Sequence, residues 1–305
     1  MGLAVKKIKG IVYVAVGASS YGVLATFVKV ANEEGAHTSV LTFSQFSIGV
    51  MVLTLMAFFS KRKSAARPSQ VVDKPLKTRL KLLLYGTSFG LTSTFYYLSI
   101  QYVPVSVGII LLMQTIWMSI ILEAIRSPKS VGVTKIVGGL VVILGTLLAT
   151  NIFATDASLD IRGILLGLLA ALSYTCSMYA SNHIGLQMPS VERSRDLILG
   201  GLLAIILFWN FDIPNHFEGW IFLKWGFFLS FFGTILPPLL FTRGIPLTGT
   251  ALGGIISAVE IPISILFAYW VLNEPVGPVQ WLGVFIILCS VALVNLRLKG
   301  QHLHQ

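Results

Sequence analysis

Residues 9–21, KGIVYVAVGASSY, return as residues 162–174, RGILLGLLAALSY. The Gly10-Ile11 and Ser20-Tyr21 pairs of the first copy recur as Gly163-Ile164 and Ser173-Tyr174. Each copy opens an apolar stretch long enough to cross a bilayer, which takes about 20 helical residues. Ten such stretches follow one another, at 8–30, 38–60, 80–101, 103–125, 132–151, 161–183, 195–211, 219–241, 247–272 and 277–296. Five spans separate the two copies. Five is odd, so the second copy must lie upside down relative to the first. The predicted fold is therefore an all-α membrane protein of ten transmembrane helices, in two inverted five-helix repeats covering 1–151 and 152–305. Inverted repeats are a build of secondary transporters, with the substrate site between the halves near the bilayer midplane.

Composition agrees. The chain is 55% hydrophobic and 11% charged, with a mean hydropathy of +0.84. A soluble domain carries roughly 25% charged residues, so a globular fold of this length is excluded. The first apolar run is too long for a signal-peptide core and lacks a small-residue cleavage site, so it reads as a retained span. Cys176 and Cys289 fall inside predicted spans, without metal-ligand spacing; no disulfide framework, metal or cofactor is expected.

The net charge of +10 is explained by its placement, not by nucleic acid. Of 22 Lys and Arg residues, all but Lys29, Arg162 and Lys224 fall on one side of the ten-span arrangement. The positive-inside rule makes that side cytoplasmic, with both termini inside. Glu33, Glu34, Asp156, Asp160, Asp212, Glu218 and Glu274 land outside. The loop at 60–81 is basic, with Pro68 and Pro75, and reads as a contact for anionic lipid headgroups. Most other loops are too short for a catalytic domain or a large receptor module.

Within the spans, Glu260 stands out. An acid at the bilayer centre costs at least ~2.5 kcal/mol on insertion scales, so it faces the bundle interior and not lipid. Ser257 and Ser264 lie three before and four after it, on the same helical face. The functional readings are a proton carrier or an anchor for a cationic group. The bland one is a structural acid bonded to a neighbouring helix kinked at Pro237-Pro238. Gln114 holds the roughly equivalent place in span four, with Trp117 a turn later; both suit a small amphipathic solute or ordinary helix glue. Glu123 reads as half of an ion pair at the membrane edge, near Arg126 and Lys129. Polar stripes at helical spacing run along span three (Thr87, Gly90, Thr94, Tyr97) and span six (Tyr174, Ser177, Ser181), with Ser20 and Tyr21 on span one. Single hydroxyls in such helices usually satisfy their own backbone, but several stripes in one bundle imply a wetted interior. Lys29 reads as snorkelling to the interface. Trp209, Trp220, Trp225, Trp270 and Trp281 cluster at span ends as interfacial belts. The glycines at 86 and 90, 163 and 167, and 249 and 253 are spaced for close helix packing, or for hinging.

Motifs for a phosphate loop, a zinc protease or a Ser-His-Asp set are absent, so neither an enzyme nor ATP-driven transport is expected of this chain. Residues 244–295, from GIPLTGTALGGIISAVEIPIS through NEPVGPVQWLG, resemble the C-terminal signature of the EamA-type branch of the drug/metabolite transporter superfamily. Gly244 and Gly249 match its turn, Glu260 its helix acid, Glu274 its later acid, and Gln280 with Gly283 its last helix. Ser20-Tyr21-Gly22 with Lys29 resembles its first helix, and 135–145 its fifth. Two features depart from it. Pro262 stands one residue later than the usual Glu-Pro, and the fourth loop is basic where an acid is common. The resemblance implies alternating-access transport of small metabolites such as amino acids, often outward. A multidrug or cationic-compound exporter is the alternative, and a non-transporting receptor or enzyme the rival from another class. The chain is expected in the inner or plasma membrane, as a monomer or a homodimer, with a small-molecule substrate. Ser20, Tyr21, Thr94, Tyr97, Gln114, Trp117, Tyr174, Ser177, Ser257, Glu260 and Ser264 are the candidate substrate residues, and Glu260 the candidate for proton coupling.

Overall fold

The computed structural model describes residues 3–64, 75–103, 105–128, 131–149, 160–273 and 276–300. Their regular elements are all helical. The first half holds α1 (Leu3–Glu33), α2 (Thr38–Ser64), α3 (Pro75–Tyr102), α4 (Val105–Leu112), α5 (Thr115–Arg126) and α6 (Val133–Ala149). The second holds α7 (Ile161–His183), α8 (Ser190–Phe208) and a single turn, α9 (Asp212–Asn215). A long helical stretch follows, made of α10 (Gly219–Ile221), α11 (Phe227–Ser230) and α12 (Leu236–Thr248), joined by π-helical turns at Phe222–Gly226 and Phe231–Ile235. The chain closes with α13 (Thr250–Ser257), α14 (Glu260–Val271) and α15 (Pro278–Gly300).

Six stretches are long and apolar enough to cross a membrane: Val5–Glu33, Thr38–Ser60, Val107–Arg126, Ile161–His183, Gly219–Thr248 and Thr250–Val271. Val133–Ala149 and Pro278–Val294 are apolar but shorter. The outer surface is itself apolar: Leu84, Ile125, Leu207 and Leu223 are all largely exposed. A water-soluble surface does not carry such a coat, and the chain is a multi-pass membrane protein. α3 and α8 differ by carrying charge at one end. α8 starts at Ser190, five residues before the span expected at 195, and takes Glu192, Arg193 and Asp196 into a buried helical turn. Arg79 of α3 pairs with Glu192 at 2.7 Å, and the Arg193 guanidinium donates to the carbonyls of Ser181, Ile184 and Thr242. These partners let charge stay helical where a bare sequence reading ends the span.

Counterpart helices meet head to tail. In α2 and α8, His37 lies against Trp209 while Phe46 lies against Gly201. In α6 and α15, Gly138 faces Val294 while Gly145 faces Ile287. Antiparallel contact between corresponding helices is the arrangement an inverted repeat dictates. Close approach comes from missing side chains, because in lipid the packing itself supplies the attraction. A Cβ at Gly86 would strike the Leu197 carbonyl, and one at Gly90 the Gly201 carbonyl, so the α3 and α8 backbones touch.

The spans expected at 103–125 and 247–272 each run on as one helical stretch that a single tighter turn interrupts, with the backbone staying in the helical region at Gln114 and Val259. α4 and α5 part at Met113 and Gln114; α13 and α14 part at Ala258 and Val259. Both breaks tighten to bonds three residues back, Ile116 N to Met113 O at 3.0 Å and Ile261 N to Ala258 O at 3.1 Å. In the second copy Pro262 accounts for it: the ring lacks an N–H and clashes with the carbonyl four residues back, so it is at home only in the first turn of a new helix. The break fixes the repeat register. Helices starting at 105, 115 and 133 have counterparts starting at 250, 260 and 278, a constant offset of 145. The counterpart of Glu260 is thus Thr115, one residue beyond Gln114. Pro237 and Pro238, expected to kink a continuous span, lie in the first turn of α12, directly after the π turn at Phe231–Ile235.

Candidate functional site

Tyr21 and Tyr174, the last residues of the two repeated segments, meet at the centre of the bundle. Their rings stand 6.0 Å apart and nearly perpendicular, and both pack against Phe241. Around them is a cavity of about 40 Å³. α1 contributes Tyr21, Leu24 and Ala25; α3 contributes Phe89, Thr92, Ser93, Tyr96 and Tyr97. Leu112 at the end of α4, Tyr174 and Ser177 of α7, and Glu260 at the start of α14 complete it. Val14, Ile116, Ile255 and Ile256 are fully buried in the same apolar cluster as Tyr96, Tyr97 and Tyr174.

Glu260 is placed by the break in its span. Starting a new helix at 260 points the carboxylate into the bundle. Gly22 of α1 lies against the Glu260 carbonyl, where a Cβ would clash, and Ser264 donates to the Gly22 carbonyl at 2.9 Å. The acid is 6% exposed, and its Oε2 has no hydrogen-bond partner among the described residues. The lining holds one acid and no lysine, arginine or histidine.

Of the sequence candidates, Tyr21, Tyr97, Tyr174, Ser177 and Glu260 are brought together in this cavity. Ser20 donates instead to the Phe232 carbonyl at 2.7 Å, tying α1 to the π turn. Ser264 ties α14 to α1, and Ser257 bonds its own helix at the Gly254 carbonyl, beside the Tyr174 hydroxyl. Thr94 is buried without a partner for its hydroxyl and is not on the lining. Gln114 and Trp117 face away: Gln114 bonds the Ile110 carbonyl and the Trp117 indole, and Trp117 is 40% exposed toward the lipid side. Their off-by-one register explains it, since Thr115, not Gln114, points inward and meets Thr175 at 2.8 Å. Sequence reasoning missed Tyr96, Thr92, Ser93 and Phe89. It also missed Gln45, which accepts from the Tyr97 hydroxyl at 3.2 Å.

At the end of the bundle where α1 starts, Glu123 accepts from Lys135 at 2.6 Å and from the Ala251 amide at 2.7 Å. Its pairing with Arg126 and Lys129 was expected. Arg126 instead lies over the Tyr179 ring, and Lys129 is outside the described residues. Glu123 thereby caps α13 of the other half, and Gly249, at φ +85°, leaves it room. At the opposite end, Glu34 accepts from Lys224 at 2.7 Å and the Trp225 indole at 3.0 Å, and His37 stacks on His216 at 3.9 Å. The Lys224 bond holds the Glu34 carboxyl below its usual range. Burial, then the neighbouring His216, pulls His37 down from its usual value. Trp209 and Trp225, expected at the interface, are buried. Glu274 lies outside the described residues, as do residues 65–74 of the basic loop at 60–81.

No curated protein sequence matches the chain. A solved structure titled "Crystal structure of protein" shares its fold with a TM-score of 0.71 at 15% identity, over 93% of this chain and 97% of that one. The model of the EamA-like transporter family matches twice, over residues 8–151 and 161–296. The second match begins beside the second copy of the repeat that brings Tyr174 to Tyr21, and the chain belongs to the EamA-like transporter family of the drug/metabolite transporter superfamily.

Proposed function

We infer that this chain is a secondary carrier that moves a small metabolite, such as an amino acid, through the cavity between Tyr21, Tyr97, Tyr174 and Glu260, and that it works outward by alternating access. It crosses the inner or plasma membrane ten times, as two inverted five-helix units at 1–151 and 152–305, with both termini in the cytoplasm. The observation that carries the reading is the cavity's position. It lies at the level where spans four and nine both break, between tyrosines donated by each copy. Broken helices at a repeat interface are where carriers of this build hold their solutes. The same breaks give each half a place to bend as access alternates. The side assignment rests on the lysines and arginines, and the basic loop at 60–81 serves anionic headgroups.

Flux into proteoliposomes tests it, with a panel of amino acids, nucleobases and organic amines. Saturable uptake of at least one solute is expected, and Tyr97→Trp, which fills the cavity, should abolish it. No saturable flux for any solute, or full flux in Tyr97→Trp, would contradict the reading.

A further inference from the structure

We propose that the solute presents a protonated amine to Glu260. This rests on the cavity being the transport site and names the chemistry it selects.

The carboxylate oxygen Oε2 of Glu260 is buried and has no donor among the described residues. An ionised carboxylate in so dry a place costs several kcal/mol unless a cation pairs with it. No basic side chain lines the cavity to do so. The structural alternative read from sequence, a bond to the helix at Pro237-Pro238, is not made. A solute ammonium supplies both the charge and the missing donors. The rest of the lining suits the same group. Tyr21 and Tyr174 stand edge to face, and Tyr96 and Tyr97 lie 6.1 Å apart and tilted, so aromatic faces bound the space in more than one direction. Such faces attract cations through the ring quadrupole. Thr92, Ser93 and Ser177 offer hydroxyls that accept from ammonium protons. A solute with a carboxylate or phosphate but no amine would meet Glu260 with no counter-charge. A neutral one could donate to Oε2 but would leave its charge unbalanced.

Three probes of one shape separate these cases: phenethylamine, 2-phenylethanol and phenylacetate, each titrated by calorimetry into the purified full-length protein at neutral pH. The amine should bind at least about tenfold tighter than the alcohol, and phenylacetate should not bind. Glu260→Gln should erase the amine's advantage and leave the alcohol's affinity within about threefold. Should that variant fail to fold, Tyr21→Leu serves instead: it removes one aromatic face and should weaken the amine more than the alcohol. Phenylacetate binding as tightly as the amine, an undiminished amine preference in Glu260→Gln, or equal losses in Tyr21→Leu would overturn the assignment. Alcohol binding that Tyr97→Trp abolishes would leave the cavity reading standing even then. No binding by all three probes, together with no flux, would remove both.

Discussion

Spans four and nine are the same device built twice and used differently. Each breaks after eight residues of helix and restarts with an inward-pointing polar residue, Thr115 in one half and Glu260 in the other. Thr115 is satisfied, because its hydroxyl and that of Thr175 share a hydrogen bond at 2.8 Å. Glu260, on the cavity lining, has an oxygen with no partner among the described residues. The scaffold is duplicated, while the charge is kept on one copy alone. A buried group that has its partner contributes to stability, whereas one that lacks it carries a cost that calls for an explanation.

The largest contrast should appear in transport. Glu260→Gln is expected to cut proteoliposome flux by at least about tenfold and to flatten its dependence on pH between about 5.5 and about 8. Thr115→Val should leave flux within about twofold and cost about 1 kcal/mol of stability, one buried hydrogen bond. Equal losses in the two variants would mean that both copies act alike. Next in size is the Glu123–Lys135 pair, for which the second copy has Ala268 and Gln280 at the same offset. Lys135→Met takes one buried cation from the Glu123 carboxylate, at a cost of about 1–3 kcal/mol, read as a fall in melting temperature. The smallest effect is at His37, where the two halves meet at the opposite end. Its folded-state proton affinity is depressed, so the folded form resists protonation. That contribution is complete above the unfolded value of 6.5 and is lost as pH falls below it. The melting temperature should therefore drop more between pH 7.5 and 5.5 in the natural protein than in His37→Gln.

The sequence announced the two-repeat helical scaffold through its repeat, and Glu260 through the expense of an acid in lipid. The pairing of Tyr21 with Tyr174 was implicit in the repeat, since equivalent residues of an inverted duplication can meet at its axis. Helix rotation was not legible. The stripe of Thr87, Gly90, Thr94 and Tyr97 is a proper helical face, but Gly90 is spent on contact with Gly201, and the neighbouring face of Phe89, Ser93 and Tyr96 lines the cavity. Only the partner helix decides between two such faces. The break at Met113 and Gln114 was equally silent, because the first copy has no proline to mark it. That is how Gln114 and Trp117 came to be read as inward-facing. Glu192 and Arg193 were placed outside a helix for a related reason: their buried partners, Arg79 and three backbone carbonyls, are distant in sequence.

Ser93 lies on the cavity wall and Trp117 on the lipid side of the broken span, so thiol labelling distinguishes them. With Cys176 and Cys289 replaced by serine, single cysteines at Ser93→Cys and Trp117→Cys would be reacted with a bulky maleimide in proteoliposomes and flux measured before and after. Solute transport through the Glu260 cavity predicts that labelled Ser93→Cys loses nearly all flux, that saturating solute slows its labelling, and that labelled Trp117→Cys keeps its flux. Full flux after complete labelling at Ser93→Cys would contradict it.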